Sequence, residues 1–154
     1  MGKHLRHLEL GFHSAQLAGE LIGGAVIAFS TPSADLLEGR LDLAVLWDIR
    51  VSPDVRGRGV GSALFRAVET WATGKGCKEL KVETQNINVA ACRFYARHGC
   101  VLRAADRSAY PQFPGEVQLL WYKNLTAAGV AQHNLRAGSQ RFQPTATGGI
   151  TSRG

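Results

Sequence analysis

Long apolar runs are missing from this chain. The longest stretch without a charged residue, Leu21 to Ala34, has 14 residues and is broken by Gly23, Gly24, Ser30, Thr31 and Pro32. A bilayer-spanning helix needs about 20 apolar residues, so no membrane partner is expected. The start, Met1 to Arg6, is followed by His7 and Glu9 rather than by an apolar run, so no secretory leader is legible and a cytoplasmic protein is expected. Cysteine is scarce. Cys77, Cys92 and Cys100 form neither an even set nor a C-x-x-C pair, which excludes a disulfide framework and a cysteine zinc site and leaves small buried hydrophobes. His4 and His7 lack a third ligand nearby, so no metal is expected.

Acidic residues are absent from one end. Residues 1–124 hold 15 Lys and Arg against 12 Asp and Glu; residues 125–154 hold Arg136, Arg141 and Arg153 and no acid, so half of the net charge of +6 lies in that last stretch. The stretch is rich in Gly, Ser, Thr, Gln and Ala. It is read as a basic low-complexity tail with too little apolar surface to offset its ordering entropy. No basic stripe interleaved with aromatics appears, so no nucleic-acid partner is expected, and attraction to a small polyanion suits the balance. A hydrophobic share of 45% and a charged share of 19% in 154 residues predict one globular domain over residues 1–124.

Within that domain, two apolar runs flank Ala18-Gly19-Glu20 between Phe12 and Ser30, a hairpin whose second arm is Leu21 to Phe29. Thr31 to Arg40 reads as a loop. Leu41, Leu43, Val45, Trp47, Ile49 and Val51 then recur at a period of two, predicting a strand with these six on one face. Beyond Pro53, Val60, Leu64, Val68 and Ala72 recur every fourth residue, a helix that Gly74 and Gly76 end. Leu80 to Thr84 reads as a strand, Asn88 to His98 as a helix stopped by Gly99, and Glu116 to Lys123 as a last strand.

Between the long strand and the first helix lies Arg56-Gly57-Arg58-Gly59-Val60-Gly61. The first amides of a helix have no intrahelical partner, and the aligned peptide dipoles favour negative charge there. Glycine lets phosphate oxygens approach the backbone, and Arg56 and Arg58 add positive charge, so a pyrophosphate is the expected ligand. The competing reading is a tight turn with solvated arginines. The run lacks the Gly-Lys-Ser/Thr ending of a Walker loop and the wider second gap of a dinucleotide fingerprint, which counts against nucleotide hydrolysis and hydride transfer.

Arg56-x-x-Gly59-x-Gly61 after a strand, followed by Asn88-x-x-Ala91-x-x-Phe94-Tyr95 in a later helix, resembles the acetyl-coenzyme A signature of the GNAT-type N-acetyltransferases. Glu83 to Tyr95, with the closing Gly115-Glu116 and Trp121-Tyr122-Lys123, further resembles the streptothricin acetyltransferases within that family, and the likeness covers roughly residues 17–123. It implies an α/β fold, a mixed sheet with helices on both faces, here short of most of the family's opening strand and helices. It implies transfer of acetyl from acetyl-coenzyme A to a primary amine of a small cationic antibiotic, a resistance activity. A shortened protein that binds coenzyme A without catalysis is the alternative, and a homodimer is left open.

The resemblance also implies roles for single residues. The backbone of Ile49 and Val51 would pair with the pantetheine arm. Arg56, Gly57, Arg58, Gly59, Val60 and Gly61, with Ser62, would hold the pyrophosphate. Asn88 would bond the pantetheine or its neighbouring backbone, and Tyr95 would protonate the departing thiolate. An amine needs a proton acceptor, and the candidates are Glu83, assigned as general base, and Asp48; ion pairs with Lys81 and Arg50 are the competing roles. Cys92 has no base beside it, so direct transfer is expected over an acetylated cysteine.

Overall fold

The computed structural model describes residues 9–29 and 37–126. The tail read at 125–154 falls, from residue 127 on, outside the described residues, as do residues 30–36 of the loop read at Thr31 to Arg40.

The chain forms six strands and two helices among the described residues: β1 (Glu9–Leu17), β2 (Glu20–Phe29), β3 (Leu43–Val51), α1 (Val60–Gly74), β4 (Glu79–Gln85), α2 (Val89–Arg97), β5 (Val101–Asp106) and β6 (Gln118–Asn124). They make one mixed sheet of order β1-β2-β3-β4-β6-β5, in which only β3 and β4 run parallel. The β1–β2 turn places Ala18 at φ 51° and Gly19 at φ 85°, the pair of left-handed residues that lets a two-residue loop follow the twist of a hairpin.

Each helix stops for a visible reason. Gly76 at φ 82° donates to the Thr73 carbonyl and Cys77 to that of Ala72; Gly99, also at 82°, donates to Ala96 while Cys100 donates to Tyr95. This pair of hydrogen bonds around a left-handed glycine satisfies carbonyls that would otherwise be orphaned.

The main core lies between one sheet face and the helices. Ile27, Ala44, Leu46, Leu80, Val82 and Trp121 meet Leu64, Phe65 and Val68 of α1 and Tyr95 of α2. The sequence leads one to expect helices on both faces; among the described residues both lie on this face. The opposite face carries a smaller cluster, Leu37, Leu43, Val45 and Tyr122, where Lys81 meets Glu38 at 2.8 Å.

The period-two reading of β3 needs correction. Val26 pairs with Asp48 but Ile27 pairs with Leu46, so Trp47 is an extra, bulged residue that is 58% exposed. A bulge shifts the alternation by one. Leu43 and Val45 therefore face one way, while Ala44, Leu46, Ile49 and Val51 face the helices. Strand β5 was not expected from the sequence; every residue of it is exposed, so it has no buried face to pattern. The cysteines are free, and burial raises the thiol pKa of Cys77 to about 11 and of Cys100 to about 12.

On β1, burial holds His13 below its ordinary pKa of 6.5, and its Nε2 is enclosed without a hydrogen-bond partner. The folded state therefore prefers the neutral ring, so its stabilising preference is full above the unfolded value and is lost as pH falls from there through the lower folded value. Thermal melts are expected to show stability declining below about pH 6.5, before the carboxylates titrate, and His13→Leu should flatten that limb. An unchanged limb in His13→Leu would contradict this assignment.

Candidate active site

After β3 the chain makes a short 3-10 turn, Pro53–Val55, and enters α1 through Arg56 to Gly59. Gly57 (φ 77°) and Gly59 (φ 83°) occupy the left-handed region, and a Cβ at either would meet nothing within 4 Å, so backbone conformation rather than crowding requires glycine there. Gly59 is the N-cap and brings no side chain to the helix. The first intrahelical donor is Ala63, whose N–H reaches the Gly59 carbonyl at 3.0 Å. The amides of Val60, Gly61 and Ser62 thus open at the mouth, and no acid stands in the first turn to offset the dipole. Arg56 and Arg58 are exposed beside it. This donor set suits a diphosphate.

Arg56 is also anchored: its Nε donates to the Val51 carbonyl at 3.2 Å, tying the loop to the end of β3. Ser52 N–H donates to the Ile22 carbonyl of β2 at 2.8 Å, so by alternation the amides of Ile49 and Val51 turn away from β2 towards β4. The parallel pairing of β3 with β4 ends at Leu46 and Val82, just before the bulge. Beyond it the strands part, and the N–H groups of Ile49 and Val51 face the gap. That is the placement expected for an added extended arm, except that the Val51 carbonyl already accepts from Arg56.

Asn88 is the N-cap of α2, its Oδ1 accepting from Ala91 N–H at 3.1 Å, so that oxygen serves the helix's own backbone. Two turns on, Tyr95 is buried and packs against Phe65 (6.0 Å between ring centroids) and Phe94 (5.3 Å). Burial raises its pKa well above the ordinary tyrosine value, and the nearby Cys100 and Asp48 charges push the same way. Tyr95 is therefore a protonated hydroxyl at neutral pH, able to donate.

The two carboxylates lie on the face away from the helices, at the parted ends of β3 and β4. Asp48 accepts from Arg50 Nε at 2.8 Å, the competing role foreseen for it, and lines an open cleft of about 470 Å³ with Arg50, Gly24, Val26 and Phe12. Glu83 is not paired with Lys81, which takes Glu38. It accepts instead from the Tyr110 hydroxyl, and burial with that bond raises the Tyr110 pKa to about 12. Tyr110 went unnoticed in the sequence because it lies in a loop 27 residues from Glu83 with no motif around it.

Ser62 is the other difference. Its hydroxyl meets His98 Nε2 at 3.0 Å rather than turning to the mouth, so only its amide remains available to an anion. Cys92 Sγ lies 3.6 Å from Thr84 Oγ1 and 3.8 Å from the Gln85 carbonyl, contacts that provide no base. Among the described residues no group of His, Cys, Asp and Glu could hold a metal ion, and no helix is long and apolar enough to cross a membrane.

A family model described as "Acetyltransferase (GNAT) family" matches residues 3–100. Streptothricin acetyltransferase A of Bacillus subtilis (strain 168) is 41% identical over 81 residues, 51% of this chain and 47% of that protein. Aminoglycoside N(6')-acetyltransferase type 1 of Klebsiella aerogenes is 36% identical over 73 residues, 47% of each chain. The chain thus spans about half the length of these relatives. Among solved structures, one described as a streptothricin acetyltransferase from Bacillus anthracis str. Ames, in complex with acetyl coenzyme A, superposes with a TM-score of 0.66 at 28% identity, covering 78% of this chain and 65% of that one.

Proposed function

The chain belongs to the acetyltransferase (GNAT) family, and from that premise we propose that it transfers acetyl from acetyl-coenzyme A to a primary amine of a streptothricin-like cation. One observation carries the reading: an uncapped helix mouth opens beside a parted strand pair with bare amides at Ile49 and Val51, two residues whose side chains pack against the same core cluster as Tyr95. The amides of Val60, Gly61 and Ser62, with Arg56 and Arg58, hold the diphosphate. Ile49 and Val51 align the arm that carries the thioester.

Transfer forms a bond from the amine nitrogen to the acetyl carbon and breaks the bond from that carbon to sulfur. Tyr95 gives its proton to the departing sulfur and regains one from solvent. Glu83 takes the proton that the amine loses, while Asp48 and Glu83 place negative charge on the side from which a cation would approach. Acetylation would remove one positive charge from the acceptor and weaken its charge-assisted contacts to a cellular target, giving resistance.

The test is thiol release from acetyl-coenzyme A with streptothricin as acceptor. Release that depends on the acceptor, with an acetylated product seen by mass spectrometry, is the expected result. Background release from folded protein that binds coenzyme A would reject the reading.

A further inference from the structure

The mouth of α1 and the helix that carries Tyr95 touch through two consecutive residues. A Cβ built on Gly61 would stand 3.2 Å from Phe94 Cε2, so the absence of a side chain there lets the Phe94 ring pack closely against the first turn of α1. At the next position Ser62 Oγ meets His98 Nε2 at 3.0 Å. Phe94 lies in the last turn of α2 and His98 is its C-cap, one turn on, with Tyr95 between them in sequence.

His98 is held on all sides. It is 7% exposed, its ring lies 4.2 Å from that of Phe94 and 5.1 Å from that of Phe65, and its Nδ1 is 2.8 Å from the Phe94 carbonyl. A carbonyl has no proton to give, so Nδ1 carries the hydrogen, and in the neutral ring Nε2 is left as the acceptor. The Ser62 hydroxyl is then the donor. With its proton committed to His98, that hydroxyl presents only lone pairs elsewhere, which a phosphate oxygen would not accept as a partner.

We propose that His98 is a positioning residue: through Ser62 it fixes α2 to the anion-binding mouth of α1 and so sets where the Tyr95 hydroxyl stands relative to the thiol of a bound coenzyme. The proposal rests on the reading of Tyr95 given above. It assigns Ser62 a different part from the one its position in the glycine-rich run suggests, because its hydroxyl serves the contact between helices and its amide alone serves the ligand.

The experiment uses the full chain and coenzyme A, and needs no acceptor: the thiol of the bound coenzyme is titrated by the ultraviolet absorbance of its thiolate. A hydroxyl aimed at sulfur stabilises the thiolate, so the wild-type thiol is expected to titrate below that of free coenzyme A, and Tyr95→Phe should return it towards the free value. His98→Leu, which does not touch the sulfur, is expected to move the titration in the same direction as Tyr95→Phe, by about a tenfold change in the thiolate-to-thiol ratio. Its coenzyme affinity should stay within about threefold of wild type, because each lost neutral hydrogen bond is a small term that the diphosphate does not share. His98→Gln, which offers an acceptor near Nε2, should recover the wild-type titration.

Should His98→Leu fold poorly, Ser62→Ala breaks the same bond from the other side with less disturbance and is expected to give the same shift. A wild-type titration in either folded single variant would overturn the proposal while leaving the role of Tyr95 intact. A wild-type thiol that titrates as free coenzyme A, or a Tyr95→Phe thiol that titrates as wild type, would overturn the role of Tyr95 and this proposal with it.

Discussion

Tyr95→Phe should lower kcat by about two to three orders of magnitude while leaving the affinity for coenzyme A nearly unchanged. The ring is buried against Phe65 and Phe94, and Phe keeps that packing, so the variant removes only the hydroxyl. Burial raises the tyrosine pKa, with Cys100 and Asp48 adding to it, so the group is a proton donor throughout the neutral range. Steady-state kinetics together with calorimetric binding of coenzyme A separate the two parameters. Equal activity in the variant would show that water, rather than Tyr95, protonates the leaving sulfur. A loss of binding with kcat preserved would make the residue a packing element.

Phe65→Ala is expected to cost about 3–5 kcal/mol of stability, the usual range for emptying a fully buried aromatic site. Phe65 has no exposed surface. Its ring touches Phe94 (5.8 Å), Tyr95 and His98, and Lys123 Nζ lies 5.3 Å from its centroid, where that ammonium also pairs with Glu69. One side chain thus joins α1, α2 and β6. Denaturant unfolding would measure the loss, and a cost below about 1 kcal/mol would mean that the core closes over the gap. Because the same ring backs Tyr95, activity should fall further than stability alone requires at temperatures where the variant remains folded.

What could be read from the sequence is what local rules decide. The limits of α1 were legible because Gly59 and Gly76 mark them, and those of α2 because Asn88 caps it and Gly99 stops it. The Ala18-Gly19 turn was legible for the same reason. The facing of β3 was not, since the bulge at Trp47 is a matter of register against β2 and a period of two conceals the slipped residue. Strand β5 was invisible because it is exposed throughout and owes its existence to pairing with β6. At the site, the uncapped helix mouth follows from glycines and arginines adjacent in sequence. The Ser62–His98 and Glu83–Tyr110 bonds join residues 36 and 27 positions apart, and no spacing rule brings them together.

The central claim is that the amides at the entrance to α1 grip a diphosphate. Backbone amide shifts followed by NMR during titration with coenzyme A, and in parallel with pantetheine, test it most directly. Coenzyme A is expected to move the resonances of Gly59, Val60, Gly61 and Ser62 strongly, whereas pantetheine, which lacks the diphosphate, should move those of Ile49 and Val51 and leave the helix entrance still. Saturation with coenzyme A that leaves those four amides where they began would contradict the account.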